Sequence, residues 1–279
     1  MLKHILIPLD ASPSAESVLD RFMPLLVRPD TDVVLLHVSE PPLAASMDPR
    51  RGDDARAESQ DYVRAVARRL SEKGVRCKGV VKPGPAAEAI VAAAAEKSNG
   101  MIAMATHGRT GLARLAFGSV AESVLRHSPV PVLLVRTAEG KGAGTAFSVK
   151  RILVPVDGSP LALAIAPRVA ELAKAFRAEV TLIHVLPPKP AQGETVAHAE
   201  RVVAAAKERL EEEDVACETL IRTGDAAEEI VDAVGQRKAD LIACSTHGRT
   251  GIARAVLGSV AEKLLRTAGV PVLVCRGAR

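Results

Sequence analysis

A chain of 279 residues that is 48% apolar and 25% charged is globular in composition, and its length suits two domains of roughly 100–200 residues each. Aromatic residues make up only 2%, with no Trp and one Tyr, so the core must be Ala, Val, Leu and Ile, which argues against base-stacking platforms for RNA or single-stranded DNA. The net charge of +4 comes from basic residues spread along the chain rather than massed in one run, so neither a nucleic acid nor a membrane is expected as partner.

The opening MLKHILIPLD holds an apolar run that ends at Asp10, too short for a signal peptide or a spanning helix, and no later run is long enough to span. In chain order, apolar runs predict strands over 3–8, 32–38, 75–81, 100–105 and 131–135, with helical periodicity near 13–27, 54–73, 86–98 and 118–128. This alternation implies a five-stranded parallel sheet with helices on both faces and right-handed crossovers. SMDPRRGDDARAE (Ser46 to Glu58) reads either as a lid or as a mobile, solvated connection. PVPVLLV (Pro129 to Val135) begins with Pro, as an edge strand tolerates, and that edge is expected to pair with its counterpart across a domain or homodimer interface.

The chain then repeats itself. THGRTGLARLAFGSVAESVLR from Thr106 recurs as THGRTGIARAVLGSVAEKLLR from Thr246, an offset of 140, while ILIPLDASP (Ile5 to Pro13) recurs as ILVPVDGSP (Ile152 to Pro160) at an offset of 147. A unit this long is a duplicated domain, giving domains at 1–137 and 150–279 with a Gly-rich linker at 138–149.

Parallel sheets bind ligands beyond the carboxyl ends of their strands, where strand order reverses. Asp10 and Asp157 close the first strand of each copy, and the Gly-rich segments from Gly108 and Gly248 follow the fourth. Gly118-Ser119 and Gly258-Ser259 then open helices, whose unpaired N–H groups and positive dipole end suit a phosphate. A second reading stands beside this one: Ser119-x-x-Glu122 and Ser259-x-x-Glu262 match capping boxes, which stabilise a helix end without any ligand. Arg109 and Arg249 sit beside the glycine loop, placed either to pair with a phosphate or to make an exposed or interface contact.

The spacing of Gly, two residues, Gly, nine residues and Gly-Ser/Thr after a strand resembles the ATP-binding signature of the universal stress protein family. The likeness extends over nearly the whole chain, through ILIPLD, ILVPVD and second strands that end in His-Val. One position departs: the first Gly of the signature is Ala105 in one copy and Ser245 in the other. A positive φ there would cost a Cβ-bearing residue about 1–2 kcal/mol and weaken binding about tenfold, whereas an extended backbone would make the change nearly free. The resemblance implies two Rossmann-like, adenine nucleotide alpha hydrolase-like domains. It assigns Asp10 and Asp157 to the ribose or a Mg2+ ion, and the backbone of Val38 and Val185 to the adenine edge. Gly108, Gly118, Ser119, Gly248, Gly258 and Ser259 go to the phosphates. Pro8, Leu9, Ala105 and Val120, with Pro155, Val156, Ser245 and Val260, complete the nucleotide-binding set.

Cys77, Cys217, Cys244 and Cys275 form no Cys-x-x-Cys pair and suit buried thiols in a cytoplasmic setting. His37, His107, His184 and His247 lack metal-ligand spacing, so capping or tautomer-specific backbone bonds are expected of them. No Walker loop, dinucleotide fingerprint or nucleophile elbow is present. The sequence is therefore read as an ATP-binding, non-catalytic stress-response protein, with AMP or another adenine nucleotide as alternatives, whose occupancy tunes association with an unknown protein partner. Two other readings stand: a nucleotide-free scaffold of the same fold, or a slow ATPase or autokinase. The two copies are expected to differ in affinity.

Overall fold

In strand β1 (His4–Leu9), Ile5, Leu6, Ile7 and Leu9 are all buried, so both faces of the strand are covered and the apolar run needs no alternation. The computed structural model describes residues 1–39, 49–97, 99–106, 118–136, 149–189, 195–246 and 257–276. They fall into two units, Met1–Phe147 and Ser148–Arg279.

In the first unit β1 is followed by α1 (Pro13–Arg21), α2 (Met23–Leu26), β2 (Asp32–Ser39), α3 (Pro49–Glu72), β3 (Cys77–Pro83), α4 (Ala86–Ala95), β4 (Met101–Ala105), α5 (Ser119–His127) and β5 (Val132–Val135). The strands lie in the order β3-β2-β1-β4-β5 and pair in parallel, so strand order reverses between β1 and β4. Helices α1 and α3 share one face of the sheet, joined by Arg69 to Glu16 at 2.6 Å and Lys73 to Asp20 at 3.1 Å. Helices α4 and α5 pack together on the other face.

The second unit repeats this plan with β6 (Arg151–Pro155), α6 (Pro160–Leu163), α7 (Ala166–Phe176), β7 (Glu179–Leu186), α8 (Val196–Glu211), β8 (Cys217–Thr223), α9 (Ala226–Arg237), β9 (Leu241–Ser245), α10 (Ser259–Thr267) and β10 (Val272–Cys275). Its strands run β8-β7-β6-β9-β10, again parallel. The two Rossmann-like domains that the alternating pattern predicts are therefore present.

Helix α3 buries Val63, Val66 and Leu70, spaced as one helical face, and α8 buries Val203, Ala206 and Leu210 at the matching positions. The approach of α3 to the sheet is close: a Cβ on Gly79 of β3 would stand 2.8 Å from Val63 Cγ2, so a side chain at that strand position requires the helix to shift.

One expectation about a connection is corrected. Pro49 to Glu58, read as lid or solvated connection, are the first turns of the 24-residue α3, because Pro fits a helix start and Arg, Ala and Glu are good helix formers. Ser46 to Asp48 lie outside the described residues. Of the expected linker, residues 138–148 also lie outside them, whereas Val149 is buried at the start of the second unit and belongs to its core. Among the described residues no helix is long and apolar enough to cross a membrane.

Candidate functional site

The ladder on one side of β1 stops early. Among the described residues β1 pairs with β2 from His4 to Leu9, yet with β4 only at Ile5 and Leu6. Strand β6 likewise meets β9 only at Ile152 and Leu153. Backbone groups alternate sides along a strand, and Val156 N–H donates to the Ile183 carbonyl on β7 at 2.9 Å, so the nitrogen of Pro155 faces β9. Pro8 holds the same place in β1. A proline removes a ladder donor where no ladder partner exists, and a crevice opens at the carboxyl end of the sheet.

Asp10 and Asp157 stand at the mouth of this crevice and hold its turns. Asp10 Oδ1 accepts Ser12 N–H at 3.0 Å, while Asp157 Oδ1 accepts Ser159 N–H at 3.0 Å and Ser159 Oγ–H at 2.7 Å. Ser12 and Ser159 then cap the following helices, accepting Ala15 N–H at 3.1 Å and Ala162 N–H at 3.2 Å. The turn needs a left-handed residue after the aspartate. Gly158 adopts φ 80° at ease, whereas Ala11 carries a Cβ at φ 62°.

His37 Nδ1 lies 2.8 Å from the Leu9 carbonyl, and His184 Nδ1 lies 2.7 Å from the Val156 carbonyl. A carbonyl only accepts, so each Nδ1 carries its proton. The backbone bonds expected of these two histidines are present, tying the end of the second strand to the end of the first in each unit. His107 and His247 lie outside the described residues.

The helix starts differ from the capping-box expectation. Gly118 and Gly258 themselves occupy the N-cap positions of α5 and α10, at φ −63° and ψ 142° and at φ −62° and ψ 144°, with no side-chain cap. Ser119 and Ser259 therefore sit one residue inside the helix, where a hydroxyl cannot reach back as a cap. Glu122 and Glu262 pair instead with Arg126 and Arg266, each at 2.6 Å. Among the described residues no side chain caps the amides of Ser119, Val120 and Ala121, or those of Ser259, Val260 and Ala261.

Ala105 and Ser245 end strands β4 and β9 and are absent from the described left-handed residues. Extended backbone accepts a Cβ, so no backbone strain attaches to the departure from glycine. Val38 and Val185 lie near the ends of β2 and β7 at the same end of the sheet, half-buried. Gly108, Arg109, Gly248 and Arg249 lie outside the described residues.

Sequence reasoning missed Tyr62. Its hydroxyl donates to Glu16 Oε1 at 3.1 Å, and its ring meets His37 edge-on at 5.7 Å between centroids. Burial, then the charge and hydrogen bond of Glu16, then Asp10, push its hydroxyl above the ordinary tyrosine range, so it remains a donor. The available signal was that this is the only Tyr of the chain, on the helix that follows the second strand. In the second unit His198 of α8 meets His184 edge-on at 6.4 Å.

The sequence model of the universal stress protein family matches residues 1–136 and again 148–276. The chain belongs to the universal stress protein family. Among its relatives, universal stress protein MJ0531 of Methanocaldococcus jannaschii is 36% identical over 139 residues, covering 46% of this chain and 82% of the relative. A universal stress protein of Mycolicibacterium smegmatis is 24% identical over 265 residues, 88% of each chain. Among solved structures, a universal stress protein from Archaeoglobus fulgidus superposes over the full length of both chains with a TM-score of 0.79 at 23% identity, a likeness of fold. This universal stress protein is thus a tandem of two family domains, each with its own crevice.

Proposed function

We propose that each domain binds an adenine nucleotide in its crevice, with ATP the leading ligand, and that occupancy tunes association with a protein partner rather than driving turnover. The observation that carries the reading is the pair of helix starts at Gly118 and Gly258. Helix-start amides that no described side chain caps, with the positive end of the helix dipole, suit phosphate oxygens, and the hydroxyls of Ser119 and Ser259, not used as caps, add a donor each. Asp10 and Asp157 offer the hard oxygen ligands that Mg2+ takes with phosphates. The adenine would lie along Val38 in the first unit and Val185 in the second. There Tyr62 beside His37 gives the first crevice an aromatic wall, where the second has His198 beside His184.

The test is calorimetry of nucleotide-free full chain with MgATP. Binding at micromolar to millimolar ATP supports the reading, and no heat at millimolar ATP from folded protein overturns it. Stoichiometry tests the difference between sites: two classes are expected, and two identical sites per chain would contradict it. Homodimerisation of the tandem chain through its edge strands belongs to the same proposal, and sedimentation with and without MgATP reads it.

A further inference from the structure

The first unit holds a cavity of about 640 Å³ beside the outer strands of its sheet. Its walls come from the start of β1, from β2 as far as Leu36, from β3 between Cys77 and Lys82, and from the end of α4. The interior is aliphatic, with Leu6, Val34, Leu36 and Val80 from the strands and Ala93 and Ala94 from the helix. Its volume lies within the roughly 300–1,000 Å³ of ordinary small-molecule sites.

The rim is ionic and unbalanced. Arg76 is matched by Asp32 at 2.7 Å, and Lys82 by Glu96 at 2.6 Å. Lys78 and Lys97 also line the cavity, and both act electrostatically on the same Glu96, whose carboxyl is held below its ordinary range first by Lys82 and then by these two. One carboxylate faces three ammonium groups.

The duplication provides an internal comparison. At the 140-residue offset Lys78 and Lys97 correspond to Glu218 and Arg237, which form an ion pair at 2.7 Å in the second unit. Gly100 corresponds to Asp240, whose carboxylate accepts the N–H groups of Lys150 and Arg151 at 2.9 Å each. At the 147-residue offset of the first strand His4 corresponds to Arg151, whose Nε donates to the Lys238 carbonyl at 2.9 Å. In the second unit Glu218 and Arg237 pair at this place, while Arg222, at the position of Lys82, donates to the neutral Gln236, at the position of Glu96. The first has two cations where the second has an ion pair, and a glycine where the second has a bonded carboxylate.

We propose that this cavity binds a small amphipathic carboxylate, its headgroup between Lys78 and Lys97 and its aliphatic body over Val34, Leu36 and Val80. A single carboxylate matches the excess of positive charge, and a flexible aliphatic body matches an interior of small and branched aliphatic side chains.

Decanoate is the probe, titrated into isotope-labelled full chain and followed by amide resonances, with decanol as the uncharged control. Saturable shifts are expected at Val80, Lys97 and Gly100 with a Kd below about 0.1 mM, and none at Leu220, Arg237 or Asp240. Lys78→Glu rebuilds the ion pair of the second unit on an exposed strand position, so it should fold normally and weaken decanoate about tenfold or more. Lys97→Glu should do the same. Equal shifts in both units, affinity unchanged in both variants, decanol binding as tightly as decanoate, or no saturation by about 1 mM would each overturn the proposal.

Discussion

Thr106 and Gly118 are joined through their backbones: the carbonyl of Thr106, the residue after β4, accepts Gly118 N–H at 3.0 Å, and Thr246 holds Gly258 in the same way at 2.8 Å. The threonines are themselves anchored, since Thr106 N–H donates to Val135 and Thr246 N–H to Cys275, both at 3.0 Å. The start of each helix is thereby pinned to the end of the sheet, at the crevice. These main-chain bonds help to place the proposed phosphate donors.

This backbone allows an unusual test. Proline is favoured as the first residue of a helix and requires the residue before it to be extended, which Gly118 at φ −63°, ψ 142° and Gly258 at φ −62°, ψ 144° already are. Ser119→Pro and Ser259→Pro should therefore leave urea stability within about 0.5 kcal/mol while removing an amide donor and a hydroxyl. MgATP affinity should fall about tenfold at the altered site, as calorimetry would show, with the other site unaffected. Ser→Ala at the same positions removes the hydroxyl alone and should lose less.

The turn after each aspartate makes the two copies opposites. Ala11→Gly relieves a Cβ at φ 62° and should raise stability by up to about 1 kcal/mol, less the added freedom of the unfolded chain. Gly158→Ala forces the reverse at φ 80° and brings a Cβ to 3.0 Å from Val202 Cγ2, so it should cost about 1–2 kcal/mol. Urea unfolding of both variants checks the pair, and a stabilising Gly158→Ala would refute the account of the turn.

His37→Leu and His184→Leu each leave a strand-end carbonyl without its ring donor, at a cost of about 1–3 kcal/mol. The two should differ. His184 Nε2 is buried with no hydrogen-bond partner, so replacing that ring also removes a penalty, and His184→Leu should be the milder change in denaturant unfolding.

Alkaline pH should destabilise the second unit through its thiols. Burial pushes Cys244 and Cys275 up to about 12 from an ordinary value of 9.0. A folded-state value above the unfolded one means that the unfolded chain loses protons first, so this stability is complete below about pH 9 and is lost as pH rises toward about 12. The slope is about 1.4 kcal/mol per pH unit per thiol. Urea midpoints should fall between about pH 8 and 10.5, and Cys244→Ala with Cys275→Val should flatten that fall. An unchanged slope in the double variant would contradict this cause.

Most of the fold is legible in the residues because each central strand is an apolar run buried on both faces, as in MIAMA of β4, and each helix keeps one apolar stripe. The start of α3 is less legible, since Pro49 and the charges after it fit a solvated loop as well as a first helical turn. The capping box misleads by one residue: Ser-x-x-Glu fits the template, but Gly118 takes the N-cap place and leaves Ser119 inside. The contacts of Tyr62 are not legible for another reason, because its partners Glu16 and His37 are brought to it by the fold rather than by sequence spacing.

The central claim is that the amides opening α5 and α10 receive phosphate, and titrating MgATP into isotope-labelled nucleotide-free protein while observing those amides tests it most directly. The account predicts saturable downfield shifts at Ser119 and Val120 and at Ser259 and Val260, larger than at any amide of α4 or α9. Tight MgATP binding that leaves these four resonances in place would contradict it.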